Sequence, residues 1–308
     1  MKQHQLWWGL LCLLLSAVPT AVWSCDGGCP VVGNYQNGLF PNFNKHYIGL
    51  LGRYSTMGAL NGHDGLTGEY TRDYYYHLSL QTRIYPHPRV QLLAFVPYKI
   101  NIQETANDDF TRLMGLSDIS VLGFYQVYNN VLQDSSAKTQ HNLMLGGGVQ
   151  APTGNHRALD KDGVPLPIAF QLGTGAWSFI LSGAYTLRQK KWGINWSTTY
   201  QINTANPEGY QLGNQWSSSM VGFGVIKAKA WTFAPQGGLQ LEHLARNKNR
   251  GYDRIYSGGT QLLATASLQC YYKNIQIGLE YQQPVWQYMA SGQVHSEARL
   301  MAQFNYLF

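Results

Sequence analysis

Cys25 and Cys29, in the string CDGGCP, are the residues of this 308-residue chain whose type and spacing best suit redox or metal chemistry. In an oxidising compartment a disulfide across the short Gly-bearing loop between them is the plain reading. Two others stay open. A cut after Ser24 would leave Cys25 first and open to acylation, although Trp23 makes AVWS a poor lipobox, and two thiolates could hold a soft metal, although no nearby His or Met completes a site. His63-Asp64 and Asp108-Asp109 are acidic pairs of the kind that activate water as general bases, and they are equally common in solvated turns. His77 and Ser79 fall on one face of an extended segment, yet a nucleophilic triad needs a third partner and an oxyanion site. Gly146, Gly147, Gly148 and Gly154 lack the Lys-Ser/Thr and helix of a phosphate loop, and Asp160 to Gly163 is half a calcium loop without its other ligands. The sequence therefore assigns no catalytic residue, no metal ligand and no cofactor.

The elements that would carry any site begin with an export leader. Residues 1–24 have one positive residue, Lys2, an apolar core LWWGLLCLLLSAV and small residues before the cut, which is the layout of a secretory signal and too short to span a bilayer as a helix. Beyond it no apolar run reaches the length of a transmembrane helix. Only 12% of residues are charged while 33 are Gly, 21 Tyr and 9 Trp, so much of the surface must face something other than water. Without Lys2 the chain keeps 21 basic against 16 acidic side chains, with no Lys/Arg block of nucleic-acid type.

Period-two alternation recurs along the rest. In WGINWSTTYQIN, Trp192, Ile194, Trp196, Tyr200 and Ile202 share a face, opposite Gly193, Asn195, Ser197, Thr199, Gln201 and Asn203. In the last ten residues, RLMAQFNYLF, the row Leu300, Ala302, Phe304, Tyr306 and Phe308 is wholly apolar, whereas Arg299, Gln303 and Asn305 lie in the other row. About twelve such segments follow one another between residues 44 and 308, joined alternately by short turns (PHPR, QKKW, AKAW, YKN) and long loops, with NNVLQDSSAKTQ long where a short one is expected. The apolar rows carry almost no charge, only His46 and His243 near segment ends; a charge facing lipid at mid-bilayer would cost about 2–4 kcal/mol.

The fold expected is all-β, a membrane-spanning antiparallel up-and-down barrel of the bacterial outer membrane over residues 44–308, preceded by a periplasmic segment at 25–43. The last strand should close against the first, leaving no unpaired edge in lipid. Pro97 and Pro235, inside strand patterns, should mark a bulge or an early strand end.

The charges sorted to the wet row, Arg53, Asp73, Arg83, Lys99, Asp118, Glu242, Glu280 and Arg299, together with His77 and Gln201, are the candidate pore lining. They would select a solute by charge or brace the interior. Gln, Asn and Ser dominate the remaining inner positions, which favours passive passage of a small uncharged or weakly polar solute. Alternatives are a structural or adhesive anchor displaying its loops, and a rim hydrolase in which the two acidic pairs act as in outer-membrane aspartyl proteases.

GLSDISVLGFYQVY, LMLGGGVQAPTGN and LPIAFQLGTGAWSFILSGAYT resemble a family of outer-membrane transporter barrels of the phenol-degradation meta pathway, over about Leu116 to Leu187. The resemblance implies a channel for small molecules, aromatic ones among them. Phe308, with Phe304 and Tyr306 at alternate positions before it, resembles the terminal signature of outer-membrane proteins, which implies the barrel-assembly machinery as a partner beside outer-membrane lipid.

Overall fold

A strand with one apolar and one amide-rich row needs two different media, and the chain supplies them by closing a single sheet. The computed structural model describes residues 45–61, 69–104, 110–130, 138–161 and 163–308. The leader, the segment with Cys25 and Cys29, and His63, Asp64, Asp108 and Asp109 lie outside them.

The strands are β1 (Tyr47–Asn61), β2 (Glu69–His87), β3 (Val90–Glu104), β4 (Phe110–Leu116), β5 (Ile119–Asn129), β6 (Thr139–Ala151), β7 (Ser178–Gln189), β8 (Trp192–Asn203), β9 (Tyr210–Gln211), β10 (Gln215–Gly224), β11 (Ile226–Ala228), β12 (Trp231–Leu244), β13 (Lys248–Asn249), β14 (Tyr252–Asp253), β15 (Gly259–Tyr272), β16 (Ile275–Met289) and β17 (Val294–Leu307). β4 and β5 both pair with β3, and β10 and β11 both pair with β12, so each couple is one interrupted stave. The wall is a closed antiparallel barrel of 12 strands. β17 pairs with β1 from Tyr47↔Leu307 to Ala59↔Val294, which closes the sheet. β9, β13 and β14 form a separate small sheet in the long loops.

The usual soluble distribution is inverted. Gln201, Ser217, Gln240, Gln261, Gln269, Gln303 and Asn305 are buried, while Trp192, Leu181, Leu279, Leu300, Phe304 and Tyr306 are exposed, forming an apolar outer belt. The last strand follows its pattern residue by residue: Arg299, Met301, Gln303, Asn305 and Leu307 point in, and Phe308 ends the outer row with its ring stacked on His46 at 5.6 Å.

Both expected prolines interrupt the wall, but in the neighbouring strand. Pro97 stays in β3, and the gap between β4 and β5 lies opposite it, bridged by the Ser117 amide donating to the Pro97 carbonyl at 2.8 Å. Pro235 lies opposite the gap between β10 and β11 in the same way. Since Pro has no N–H for the ladder, the partner loses regularity there. Pro284, which the pattern does not single out, sits at a bulge where Leu263 pairs with Pro284 after Leu262 pairs with Trp286.

Strands also run past the segments read from alternation. Residues 110–116, expected as loop, form β4, and β16 reaches Met289. These extensions stand towards the long loops, where outward charges become tolerable: Arg72 is 2.5 Å from Glu297, and the Tyr74 hydroxyl donates to Glu104 at 3.0 Å. The glycines of β6 make room for their neighbours: a Cβ on Gly146 would meet the Phe124 ring at 2.5 Å, and one on Gly148 would meet the Val121 carbonyl at 2.2 Å.

Candidate functional site

The interior has two sides of different chemistry. On β12, β15, β16 and β17 it is a lattice of amides around one ion pair. Arg299 donates through Nη1 to Glu242 Oε1 at 3.1 Å and through Nη2 to Oε2 at 3.2 Å. Gln240 and Gln261 donate to the same carboxylate at 2.6 and 2.7 Å, and Gln282 links Gln240 to Glu280 at 3.1 and 2.8 Å. Every atom of that carboxylate is thus engaged, which is what makes a buried charge tolerable. Towards the short-turn end the lattice continues from Gln81 through Asn305 and Gln276 to Gln269, which also accepts from Gln303.

The facing arc, on β3, β5, β6 and β7, carries an apolar cluster flanked by buried polar side chains such as Gln91, Gln126, Asn142 and Thr186. Leu93, Phe95, Leu122, Phe124, Met144, Ile180 and Ala184 form one buried cluster. The expected polar lining is therefore interrupted along this arc. The sequence carries a signal for it, since Leu92 and Leu93, then Ala94 and Phe95, are apolar on both faces of β3.

The outer mouth is closed by the loop between β6 and β7, residues 152–177. Phe170 packs against Met57, Tyr75, Leu244, Met289 and Val294. The loop is tied to the wall at its carbonyls: Asn101 donates to the Phe170 carbonyl at 2.8 Å, Lys99 Nζ to that of Leu172 at 3.1 Å, and the Ser117 hydroxyl also to that of Leu172. Its base is held by Asp118, whose Oδ1 accepts from the Gly154 amide at 2.9 Å and whose Oδ2 accepts from the Thr174 amide and hydroxyl at 2.8 Å and from Gln150 at 3.3 Å. Gly154 and Gly173 let the two arms of the loop touch, because a Cβ on Gly173 would lie 2.4 Å from the Gly154 carbonyl oxygen. The motifs Gly115 to Asp118, Pro152 to Gly154 and Gln171 to Gly175 thus converge on one clamp.

The ten candidate residues divide accordingly. Glu242, Arg299, Glu280 and Gln201 belong to the interior lattice, Gln201 donating to Asn203 at 2.9 Å. Lys99, His77, Arg53, Met301, Glu280, Ser267 and Gln236 form one continuous cross-strand row, cationic at one end and acidic towards the other. A cavity of about 920 Å³ borders this part of the wall; much of its lining, including Tyr76, Leu78, Leu279, Tyr281 and Leu300, belongs to the outward apolar row, and Arg53, His77, Gln236 and Glu280 join it from the inner row. Asp73 lies near the closed mouth, accepting from Tyr75 at 3.1 Å and Gln103 at 2.9 Å. Arg83 is a strut near the chain ends, donating to the Lys45 carbonyl at 3.2 Å and lying 4.7 Å from the Tyr47 ring centroid. Asp118 and Lys99 hold the loop. No group of three or more His, Cys, Asp or Glu suited to a metal occurs among the described residues. Asp160 closes a turn by accepting from the Val164 amide at 2.8 Å.

Closed antiparallel staves, a lipid-type outer belt, an amide-lined inside and short turns at one end define an outer-membrane β-barrel. The chain belongs to the family described as "Putative MetA-pathway of phenol degradation", whose model matches residues 88–291. Among solved structures it is similar to the COG4313 outer membrane channel from Pseudomonas putida F1, at a TM-score of 0.64 and 14% identity over 86% of this chain and 96% of that one. The β domain of the Bordetella autotransporter BrkA (TM-score 0.47, 9% identity, 86% and 100% coverage) and the CymD monoaromatic hydrocarbon channel (TM-score 0.40, 9% identity, 86% and 89% coverage) also align. No curated protein sequence matches the chain.

Proposed function

We propose that the barrel is a passive channel of the bacterial outer membrane for a small, weakly polar or aromatic solute, closed at its outer mouth by the loop of residues 152–177. The observation that carries this reading is the two-sided interior. A solute with an apolar ring and one or two hydrogen-bonding groups would pass as the packed side chains of the interior give way, its polar groups meeting the amide lattice on one side and its ring the Leu93–Phe95–Phe124 arc on the other. Family membership supports the aromatic part of the proposal. Arg53, His77, Glu280, Gln201, Glu242 and Arg299 are the lining residues on this reading, with Asp73, Arg83, Lys99 and Asp118 as struts and clamps. Phe308, at the end of the closing strand, is the feature offered to the assembly machinery, and no catalytic role is assigned.

Planar-bilayer recording tests it. The wild type should give small, brief openings, Phe170→Ala should give larger and longer ones, and an added phenolic solute should block the current in a concentration-dependent way. Silence from both proteins would refute the channel and favour the second reading, a filled barrel that displays its loops, to which the packing around Phe170 already lends support.

A further inference from the structure

Among the described residues the side-chain charge at the short-turn end is of one sign. Each of the five connections at this end, four of them short and that between β5 and β6 long, presents an exposed cation: Arg89 between β2 and β3, Lys138 between β5 and β6, Lys190 and Lys191 between β7 and β8, Lys229 between β11 and β12, and Lys273 between β15 and β16. No Asp or Glu side chain lies at this end among the described residues, and Asp134 falls in the turn outside them. The opposite end mixes signs, as in Arg157 with Glu208 and Arg72 with Glu297. Random solvation of turns would not sort charge this way.

The backbone gives a second, independent sign. Lys190, Lys229 and Lys273 have φ of 54°, 55° and 49°, the left-handed region in which Gly or Asn sits without strain and a long side chain does not. Three two-residue turns thus place a cation where the conformation favours another residue. Beside them stands an aromatic row at headgroup height: Trp192 and Trp231 are exposed, Trp231 stacks on Tyr272 at 4.7 Å, and Lys273 Nζ lies 5.4 Å from the Tyr272 ring centroid.

We infer that this ring is a docking surface for anionic phospholipid headgroups of the inner leaflet of the outer membrane. The cations encircle the barrel at the level where the aromatic row meets the interface, so their charge complements a lipid phosphate with a net negative headgroup. A ring around the wall fits a lipid annulus better than one soluble protein, which would need a single patch.

The test uses the full-length protein in nanodiscs of phosphatidylcholine with about 30% phosphatidylglycerol, with spin-labelled analogues of each lipid reporting relative association. The wild type should prefer the phosphatidylglycerol probe several-fold, with the preference falling towards one as salt approaches about 1 M. The triple variant Lys190→Asn, Lys229→Asn, Lys273→Asn should lose most of that preference while melting at a higher temperature in phosphatidylcholine, because Asn relieves the turn. Arg250→Asn, at φ 49° in the outer loops, should gain stability in the same way and keep the preference. A wild-type ratio of one, or a preference unchanged in the triple variant, would overturn the inference and leave the ring to an acidic soluble partner.

Discussion

Replacing Asp118 with Asn changes one atom of the clamp and should undock the loop without touching the wall. One carboxylate oxygen serves the Gly154 amide, and the other serves the Thr174 amide, the Thr174 hydroxyl and Gln150. An Asn side chain must turn its NH2 towards one of these sets, and the smaller loss is at Gly154, whose buried amide is then unsatisfied at about 1–3 kcal/mol. The bonds that remain fall from charge-assisted to neutral, which adds about 1 kcal/mol. The sum, about 3 kcal/mol, is a roughly hundredfold shift towards the undocked loop. Amide hydrogen exchange in detergent or nanodiscs reads it directly. Protection at Gly154, Phe170 and Thr174 should fall by up to about two orders of magnitude, with the amides of β15 to β17 unchanged. Unchanged protection across residues 152–177 would refute the clamp, and equal loss over the whole barrel would show that Asp118 supports the wall instead.

Glu242→Leu leaves the Arg299 guanidinium, only 4% exposed, without its carboxylate and should destabilise the barrel by about 3–5 kcal/mol, whereas Glu242→Leu with Arg299→Met should recover most of that in thermal melts. The outer loops should loosen in acid. For Glu208, burial acts to raise the carboxyl pKa but is outweighed by the hydrogen bond and charge of Arg157, so the net shift is downward. A lowered folded-state pKa means that the contact contributes above the ordinary carboxylate range and is lost as pH falls through the lowered value. Exchange at the loop bearing Arg157 should therefore rise on acidification, and Glu208→Gln should remove the pH dependence.

How far the wall was legible follows from how strictly each segment sees two media. β8 and β17 cross the lipid belt with a wet lattice behind them, and their alternation gives both strand and facing. β4 was hidden because its outward row mixes Phe110, Met114 and Leu116 with Arg112, while its inward Leu113 packs against the apolar cluster around Phe170, so neither row is wholly polar or wholly apolar. The prolines announced an irregularity but not its place, because the missing N–H is felt by the strand opposite. The apolar arc is readable only where alternation fails, at Leu92–Leu93, and a reading that looks for alternation passes over such failures.

The site was legible as parts and not as contacts. Asp118 was marked by its inward row and by a motif, yet what it holds lies 36 residues away at Gly154 and 56 away at Thr174. Glu242 and Arg299 are 57 residues apart and meet only because both staves bring their rows to one height. Pairing parity says that two charges share the interior; register decides whether they touch, and register here is set by turn length and by the two interrupted staves. The gap between β10 and β11 stands near the short turn at Lys229, whereas the gap between β4 and β5, opposite Pro97, stands beside the loop that closes the mouth, where Ser117 and Asp118 turn their side chains to that loop while the Ser117 amide stays bound to the Pro97 carbonyl. At this gap the Ser117 carbonyl accepts from the Thr153 hydroxyl at 3.0 Å and the Ile119 amide donates to that hydroxyl oxygen at 3.0 Å, so backbone groups that a regular ladder would use in the wall are bound by the first turn of the loop. Pro97 therefore ties fold to closure, through a donor it lacks.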